Sequence, residues 1–274
     1  MSSPGWRFAG ASVAGTSHER TGTPCQDSHL AELIGMDDSV LVLIASDGAG
    51  SASHSHLGSS IACQLLMDEL KFAFEEGLDV SRITKDLALY WLAEIQAALH
   101  EAATAACLDV REFACTLLAA IISPTHAAFL QVGDGAIVVR HQSDSWSYVF
   151  WPQHGQFINT THFITEPTAH EVLDFDMIET RIDEAAAFTD GIESLVLQFD
   201  TQTVHAPFFD GIFGPVRRLG SSGPSEPLAT GLGRYLAMPH VCEKTDDDKT
   251  LVLATRIAVP LADSTPASQN PHHE

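Results

Sequence analysis

The chain has 274 residues, 45% apolar and 18% charged, with a mean hydropathy of +0.07, which suits a globular chain with a sizeable core and excludes collagen, coiled-coil and wholly disordered classes. Fourteen Lys and Arg stand against 36 Asp and Glu, a formal charge of −22. That argues against nucleic-acid or anionic-membrane partners, whose phosphates demand clustered cations, and leaves room for a site that gathers divalent cations.

No apolar run approaches the roughly 18 residues of a membrane span, and Met1 to Gly15 lacks the apolar segment of a signal peptide. The five Cys (Cys25, Cys63, Cys107, Cys115, Cys242) are scattered and odd in number. They read as reduced, mostly buried thiols, and the expected location is the cytoplasm.

In chain order, Trp6 to Val13 and Cys25 to Ile34 read as strands separated by turn residues at Gly15, Gly22 and Pro24. Val40 to Ala45 is a continuous apolar run, the pattern of a strand covered on both faces. Ile61, Ala62, Leu65, Leu66, Leu70 and Ala73 then recur at helical spacing up to a stop at Gly77. Leu87, Trp91, Ile95, Ala98, Ala102 and Ala105 mark a second helix of about five turns. Strands follow at Cys115 to Ile122, Ala127 to Val132, Ala136 to Arg140 and Trp146 to Trp151. Residues 152–176 read as irregular. Ile178 to Ile182 and Glu184 to Phe188 suggest a hairpin. Residues 204–237 suggest short helices and a loop, with Gly231-Leu232-Gly233-Arg234 as a break, and Leu251 to Val259 is the last strand. Residues 1–259 are expected to form one domain, and 260–274, rich in Pro, Ser and Ala, a disordered tail. Strands, two helices, then many strands favour an α+β layered sandwich over an alternating α/β fold.

The chemistry lies in Asp-Gly pairs. With 20 Asp and 19 Gly, chance gives about 1.4 such pairs, yet there are four: Asp47-Gly48, Asp134-Gly135, Asp190-Gly191 and Asp210-Gly211. The first three each end an apolar strand-like run. Asp-Gly is also ordinary hairpin chemistry, but three strand-end pairs, together with Asp27 and Asp247, point to a convergent carboxylate site. Asp246 and Asp248, flanking Asp247, read as solvated by alternation along an extended segment. Two carboxylates about 4 Å apart repel by roughly 4 kcal/mol at an effective dielectric of about 20, so either some stay protonated or a cation sits among them. Oxygen-only ligation selects hard ions such as Mg²⁺ or Mn²⁺, and a pair of these can activate water against a phosphate ester. No serine-hydrolase elbow surrounds Ser51, Ser53 or Ser55, and Gly48-Ala49-Gly50 lacks the Rossmann spacing.

Motifs in order from 15 to 250 carry a family likeness: Gly15-Thr16-Ser17-His18-Glu19-Arg20, Pro24-Cys25-Gln26-Asp27, Ala45-Ser46-Asp47-Gly48-Ala49-Gly50, Thr116-Leu117-Leu118, Val132-Gly133-Asp134-Gly135, Phe188-Thr189-Asp190-Gly191-Ile192-Glu193 and Asp247-Asp248-Lys249-Thr250. The chain resembles the PP2C-type metal-dependent Ser/Thr protein phosphatases, in particular their compact bacterial branch. The resemblance implies a four-layer αββα sandwich, two antiparallel sheets flanked by helices. It implies two metals, with room for a third, held by Asp27, Asp47, Asp190, Asp247 and the Gly48 carbonyl. Asp134 falls where a third, weaker ion is shared with Asp190. Arg20 matches the arginine that grips the substrate phosphate, a task suited to a guanidinium fork. The implied reaction is hydrolysis of phosphoserine and phosphothreonine in proteins by a metal-activated water, with no phospho-enzyme. The implied partners are phosphoproteins, a Ser/Thr kinase or its targets. Ala49 stands where many eukaryotic members carry a His, with His54 and His56 offset from it; Gln26 replaces a common Glu, and the segment after Gly191 diverges. Those departures keep two other readings open: a phosphatase-like sensor with little turnover, and a hydrolase of small phosphate esters.

Overall fold

A computed structural model describes residues 5–35, 39–141, 144–153 and 161–256. In it the apolar run Val40–Ser46 is buried at every position. Leu41, Leu43 and Ala45 face one core, and Val42 and Ile44 face another. This double burial follows from the layering of the elements. These are β1 (Arg7–Val13), α1 (Thr16–Thr21), β2 (Ser28–Ile34), β3 (Val40–Ser46), α2 (Ser55–Glu75), α3 (Lys85–Ala105), β4 (Leu117–Ile122), β5 (Ala127–Val132), β6 (Ala136–Arg140), β7 (Ser147–Tyr148), α4 (Ala169–Val172), β8 (Asp174–Ile178), β9 (Glu184–Phe188), α5 (Glu193–Val196), β10 (Leu197–Gln198), β11 (Thr203–Val204), α6 (Ala206–Arg217), β12 (Gly223–Pro224), α7 (Glu226–Leu236), α8 (Pro239–Cys242) and β13 (Lys249–Thr255).

One sheet runs β2-β3-β4-β5-β8, antiparallel throughout. The other runs β12-β1-β13-β9-β6-β7 and is antiparallel except for the short parallel contact of β12 with β1. Between them lies a core of Phe8, Leu41, Leu43, Leu118, Phe129, Ile137 and Val252, each such side chain contributing about 1.5–3 kcal/mol by leaving water. The helical stripe read at Leu66, Leu70, Trp91 and Ile95 covers the outer face of the first sheet. Phe209 and Phe213 of α6, with Leu232 and Leu236 of α7, cover the outer face of the second. The order helix, sheet, sheet, helix is the expected αββα sandwich.

Three local expectations are corrected. Ile178–Ile182 and Glu184–Phe188 are not a hairpin. Ile178 pairs with Ala127 in one sheet, whereas Glu184 pairs with Thr255 and Arg140 in the other. The intervening residues cross between layers, and Asp183 fixes the crossing, accepting from Arg181 Nε at 2.7 Å while its N–H bonds the Arg140 carbonyl. The stretch Trp146 to Trp151 keeps ladder pairing only at Ser147 and Tyr148. Gly231-Leu232-Gly233-Arg234 lies within α7 rather than breaking a helix. Residues 257–259 of the last expected strand and the whole expected tail fall outside the described residues.

Candidate metal centre at the strand ends

Sheet register brings the acidic residues to one end of the molecule. Ala45 lies opposite Leu118 and Leu117 opposite Val132, so Asp47 and the Gly133-Asp134 turn leave the first sheet together. Phe188 pairs with both Ala136 and Leu251, so Asp134, Asp190 and Asp247 leave the second sheet at that same end. Ser28 pairs with Ser46, which sets Asp27 beside Asp47. Asp47, Gly48, Asp134, Asp190 and Asp247 line one cavity of about 540 Å³, together with Ala49, Ser51, Thr161 and Phe163.

Asp47, Asp134 and Asp190 each present an oxygen within 4.8 Å of the others. Burial, followed by the Asp134 and Asp247 charges, raises the Asp190 carboxyl from 3.8 to about 7. Burial and then the charges of Asp27, Asp190, Asp134 and Asp247 push Asp47 well above its ordinary range. Glu193, one turn beyond Asp190, rises from 4.5 to about 8 through burial and the charges of Asp190 and Asp134. Protons or cations must therefore neutralise the cluster.

Asp27 lies beneath it, 6% exposed. Its Oδ2 accepts from Thr189 Oγ1 at 2.7 Å and Thr250 Oγ1 at 2.8 Å. Its Oδ1 is buried with no hydrogen-bond partner among the described residues. Burial pushes this carboxyl from 3.8 up to about 7, the two threonine hydroxyls opposing the shift. An orphaned carboxylate oxygen beside a set of oxygen donors with neither Cys nor His fits a hard divalent ion.

Asp248 corrects the expectation of a solvated flank. It is 2% exposed and accepts from Gly15 N at 2.6 Å and Gln26 N at 2.5 Å, with His18 Nδ1 at 2.9 Å. Three chain segments are tied there: the entry to α1, the loop carrying Asp27, and the segment carrying Asp247. The backbone passes so closely that a Cβ at Gly15 would collide with the carbonyls of Asp246 and Asp247, and one at Gly191 with the carbonyl of Asp248. Glycine is required at both by contact rather than by turn type. Asp246, in contrast, is exposed and ion-paired with Arg20 at 3.3 Å.

Arg20 is also largely exposed, on α1, and is not among the cavity-lining residues. Ala49 packs against Ala52 and Ala114 in a small apolar cluster with Phe163, and its N–H bonds the Ala114 carbonyl at 2.9 Å. His54 turns away to Ser53 and the Phe113 ring. Gln26 is buried, its amide donating to the Ala52 carbonyl at 3.3 Å. The fourth Asp-Gly pair lies in α6, where Asp210 accepts from Arg140 and Trp146.

Comparison with known proteins bears on the family and the fold. The family model described as protein phosphatase 2C matches residues 14–234. Serine/threonine-protein phosphatase 3 of Escherichia coli (strain K12) is 35% identical over 252 residues, covering 91% of this chain and 98% of that protein. The fold is shared with the serine/threonine phosphatase Stp1 from Staphylococcus aureus, at TM-score 0.54 and 16% identity over 90% of this chain and 94% of that one. It is shared also with the PstP catalytic domain solved with two manganese ions, at TM-score 0.58 and 15% identity over 92% and 98% of the two chains.

Proposed function

The chain belongs to the protein phosphatase 2C family, and from that premise we propose that its strand-end cluster hydrolyses phosphoserine and phosphothreonine in proteins, using Mg²⁺ or Mn²⁺. The observation that carries this reading is the meeting of the Asp47, Asp134 and Asp190 oxygens within 4.8 Å, in a cavity that Asp247 also lines. The ligands are Asp27, Asp47, Asp190, Asp247 and the Gly48 carbonyl, with Asp134 and Asp190 sharing a third, weaker ion. When bound, such ions supply an acidified water at neutral pH and positive charge against the phosphoryl oxygens.

The chain's own residues set the stage for that chemistry. Thr189 and Thr250 fix one oxygen of Asp27 and leave the other free to ligate. Asp248 holds the Asp27 loop against the Asp247 segment. Arg20 grips the substrate phosphate. Its exposed pairing with Asp246 is worth about 0–1 kcal/mol, so release toward a phosphate dianion costs little. Ala49 offers no proton to the leaving alkoxide.

The phosphatase domain is assigned to residues 1–259, of which 1–4 and 257–259, like the whole of 260–274, lie outside the described residues. No helix among the described residues is long and apolar enough to cross a membrane. The protein acts in the cytoplasm, against a Ser/Thr kinase or that kinase's targets. Hydrolysis of p-nitrophenyl phosphate and of a phosphothreonine peptide, with Mn²⁺ and with EDTA, tests the reading. Activity indifferent to chelation, or retained in Asp47→Asn, would falsify it.

A further inference from the structure

A second cavity, of about 640 Å³, opens beside the carboxylate cleft, within the roughly 300–1,000 Å³ range of ligand sites. Ala93 and Ala97 of α3, Val110, Ala114, Phe163 and Pro167 supply its apolar surface. Phe163 lines both cavities. Ala114 joins them too, since its carbonyl accepts the N–H of Ala49 in the cleft at 2.9 Å. One aromatic ring and one backbone hydrogen bond therefore separate the acidic centre from this groove.

The wall is built rather than loose. Gln96 Nε2 donates to the Ile164 carbonyl at 2.8 Å and the Glu166 carbonyl at 3.2 Å, pinning residues 164–166 to α3. Ile164 N bonds the Cys115 carbonyl at 2.9 Å. At the rim, Arg111 donates to Asp109 at 3.1 Å and His162 lies 3.3 Å from Glu166. Arg111, Asp109 and Glu166 at the rim are thus already paired, and the apolar floor is left to discriminate.

Resting on the phosphatase reading above, we propose that this groove is a specificity subsite: it receives an apolar side chain two positions from the phosphorylated residue of the substrate. In an extended peptide, side chains two residues apart lie on the same face about 6.6 Å apart. Phe163, which lines both cavities, is the ring that such a neighbour of a phosphoresidue held at the carboxylates would pass to reach the Ala93–Ala97 face.

The test compares phosphothreonine peptides that carry Leu or Phe, or else Gly, two positions to either side of the phosphoresidue. Each is assayed with Mn²⁺ against the full-length wild type and Ala97→Trp, which fills the groove from an exposed helical position; Ala93→Phe on the same face is a second filling variant. The expected result is a kcat/KM about tenfold higher for the apolar peptide, carried mainly by KM. The filling variants should abolish that preference while p-nitrophenyl phosphate turnover stays within twofold of wild type. Equal rates on apolar and Gly peptides, or a preference that survives in both variants, overturn the subsite and leave the catalytic reading standing. A wild type that turns over no p-nitrophenyl phosphate with Mn²⁺ overturns the catalytic reading, and the subsite with it.

Discussion

Replacing Asp248 separates structural clamping from metal ligation. Its carboxylate is 2% exposed and accepts two backbone N–H groups, from Gly15 and Gln26, one on each oxygen. In Asp248→Ala both donors are left buried without their acceptor, at about 1–3 kcal/mol each. The expected loss is therefore about 2–6 kcal/mol, a large share of the roughly 5–15 kcal/mol that holds a domain folded. Asp248→Asn keeps one carbonyl oxygen but sets an NH₂ against the other donor, so about half that loss is expected. Urea unfolding in EDTA measures the stability of both variants, and Mn²⁺ titration of the same samples measures ion affinity. Because Gln26 adjoins Asp27 and Asp248 adjoins Asp247, the Ala variant should also bind Mn²⁺ at least tenfold more weakly. An Ala variant within 1 kcal/mol of wild type, or an Asn variant as damaged as Ala, would refute the clamp.

Three further outcomes follow from the electrostatics. Asp190→Asn should raise the melting temperature in EDTA, because it removes a charge from a crowded cluster, while abolishing the Mn²⁺-induced shift and lowering phosphatase turnover at least a hundredfold; a lower melting temperature in EDTA would count against the crowding. The pH dependence has a definite sign: Asp27 and Asp190 sit at about 7 when folded against 3.8 ordinarily, so between those values the folded state holds protons that the unfolded chain has released. Metal-free stability should then fall as pH rises from about 4 through 7, and go on falling through about 8 as Glu193 gives up its proton. At one fixed Mn²⁺ concentration its stabilisation, about 2.7 kcal/mol where that concentration is 100 times the dissociation constant, should be larger at pH 8 than at pH 6, as melts with and without EDTA would show. Glu184→Ala should cost about 3–5 kcal/mol in urea melts, since the fully buried carboxylate is shared by Arg140, Arg217 and Thr255 and its loss leaves Arg217 without its carboxylate and Arg140 with Asp210 alone.

The acidic site was legible because its signal is local and repeated: an apolar run that ends in Asp-Gly. Those runs became β3, β5 and β9, and antiparallel register did the rest by returning their ends to one side. The continuous apolar pattern of Val40–Ala45 likewise announced two-sided burial, and the 3.6-residue stripes announced α2 and α3. Asp248 was not legible. Alternation along an extended segment holds where one face is wet, but Asp248, Lys249 and Thr250 are buried in succession because sheet, α1 and the Asp27 loop enclose them from all sides. The false hairpin had a related origin. Short spacing suggested that residues 178 and 184 were partners, whereas pairing was decided by β5, β6 and β13, distant in sequence. Arg20 carries a motif match but no local pattern that fixes its direction, and it lies on the surface against Asp246.

The arrangement implies a division of labour among the aspartates. At 4.8 Å and an effective dielectric of about 20, each charged pair among Asp47, Asp134 and Asp190 repels by about 3.5 kcal/mol, so the metal-free site opposes the fold that creates it. Something other than the ligands must hold the strand ends together until an ion arrives. Thr189 and Thr250 do so at Asp27 with hydroxyl donors, and Asp248 does so with backbone donors. Each joins segments far apart in sequence, and none of the three is among the residues lining the cavity. A chain that lost these tethers while retaining Asp47, Asp134, Asp190 and Asp247 would keep the acidic residues that line the cavity and still lose the site, because their mutual repulsion would go unopposed.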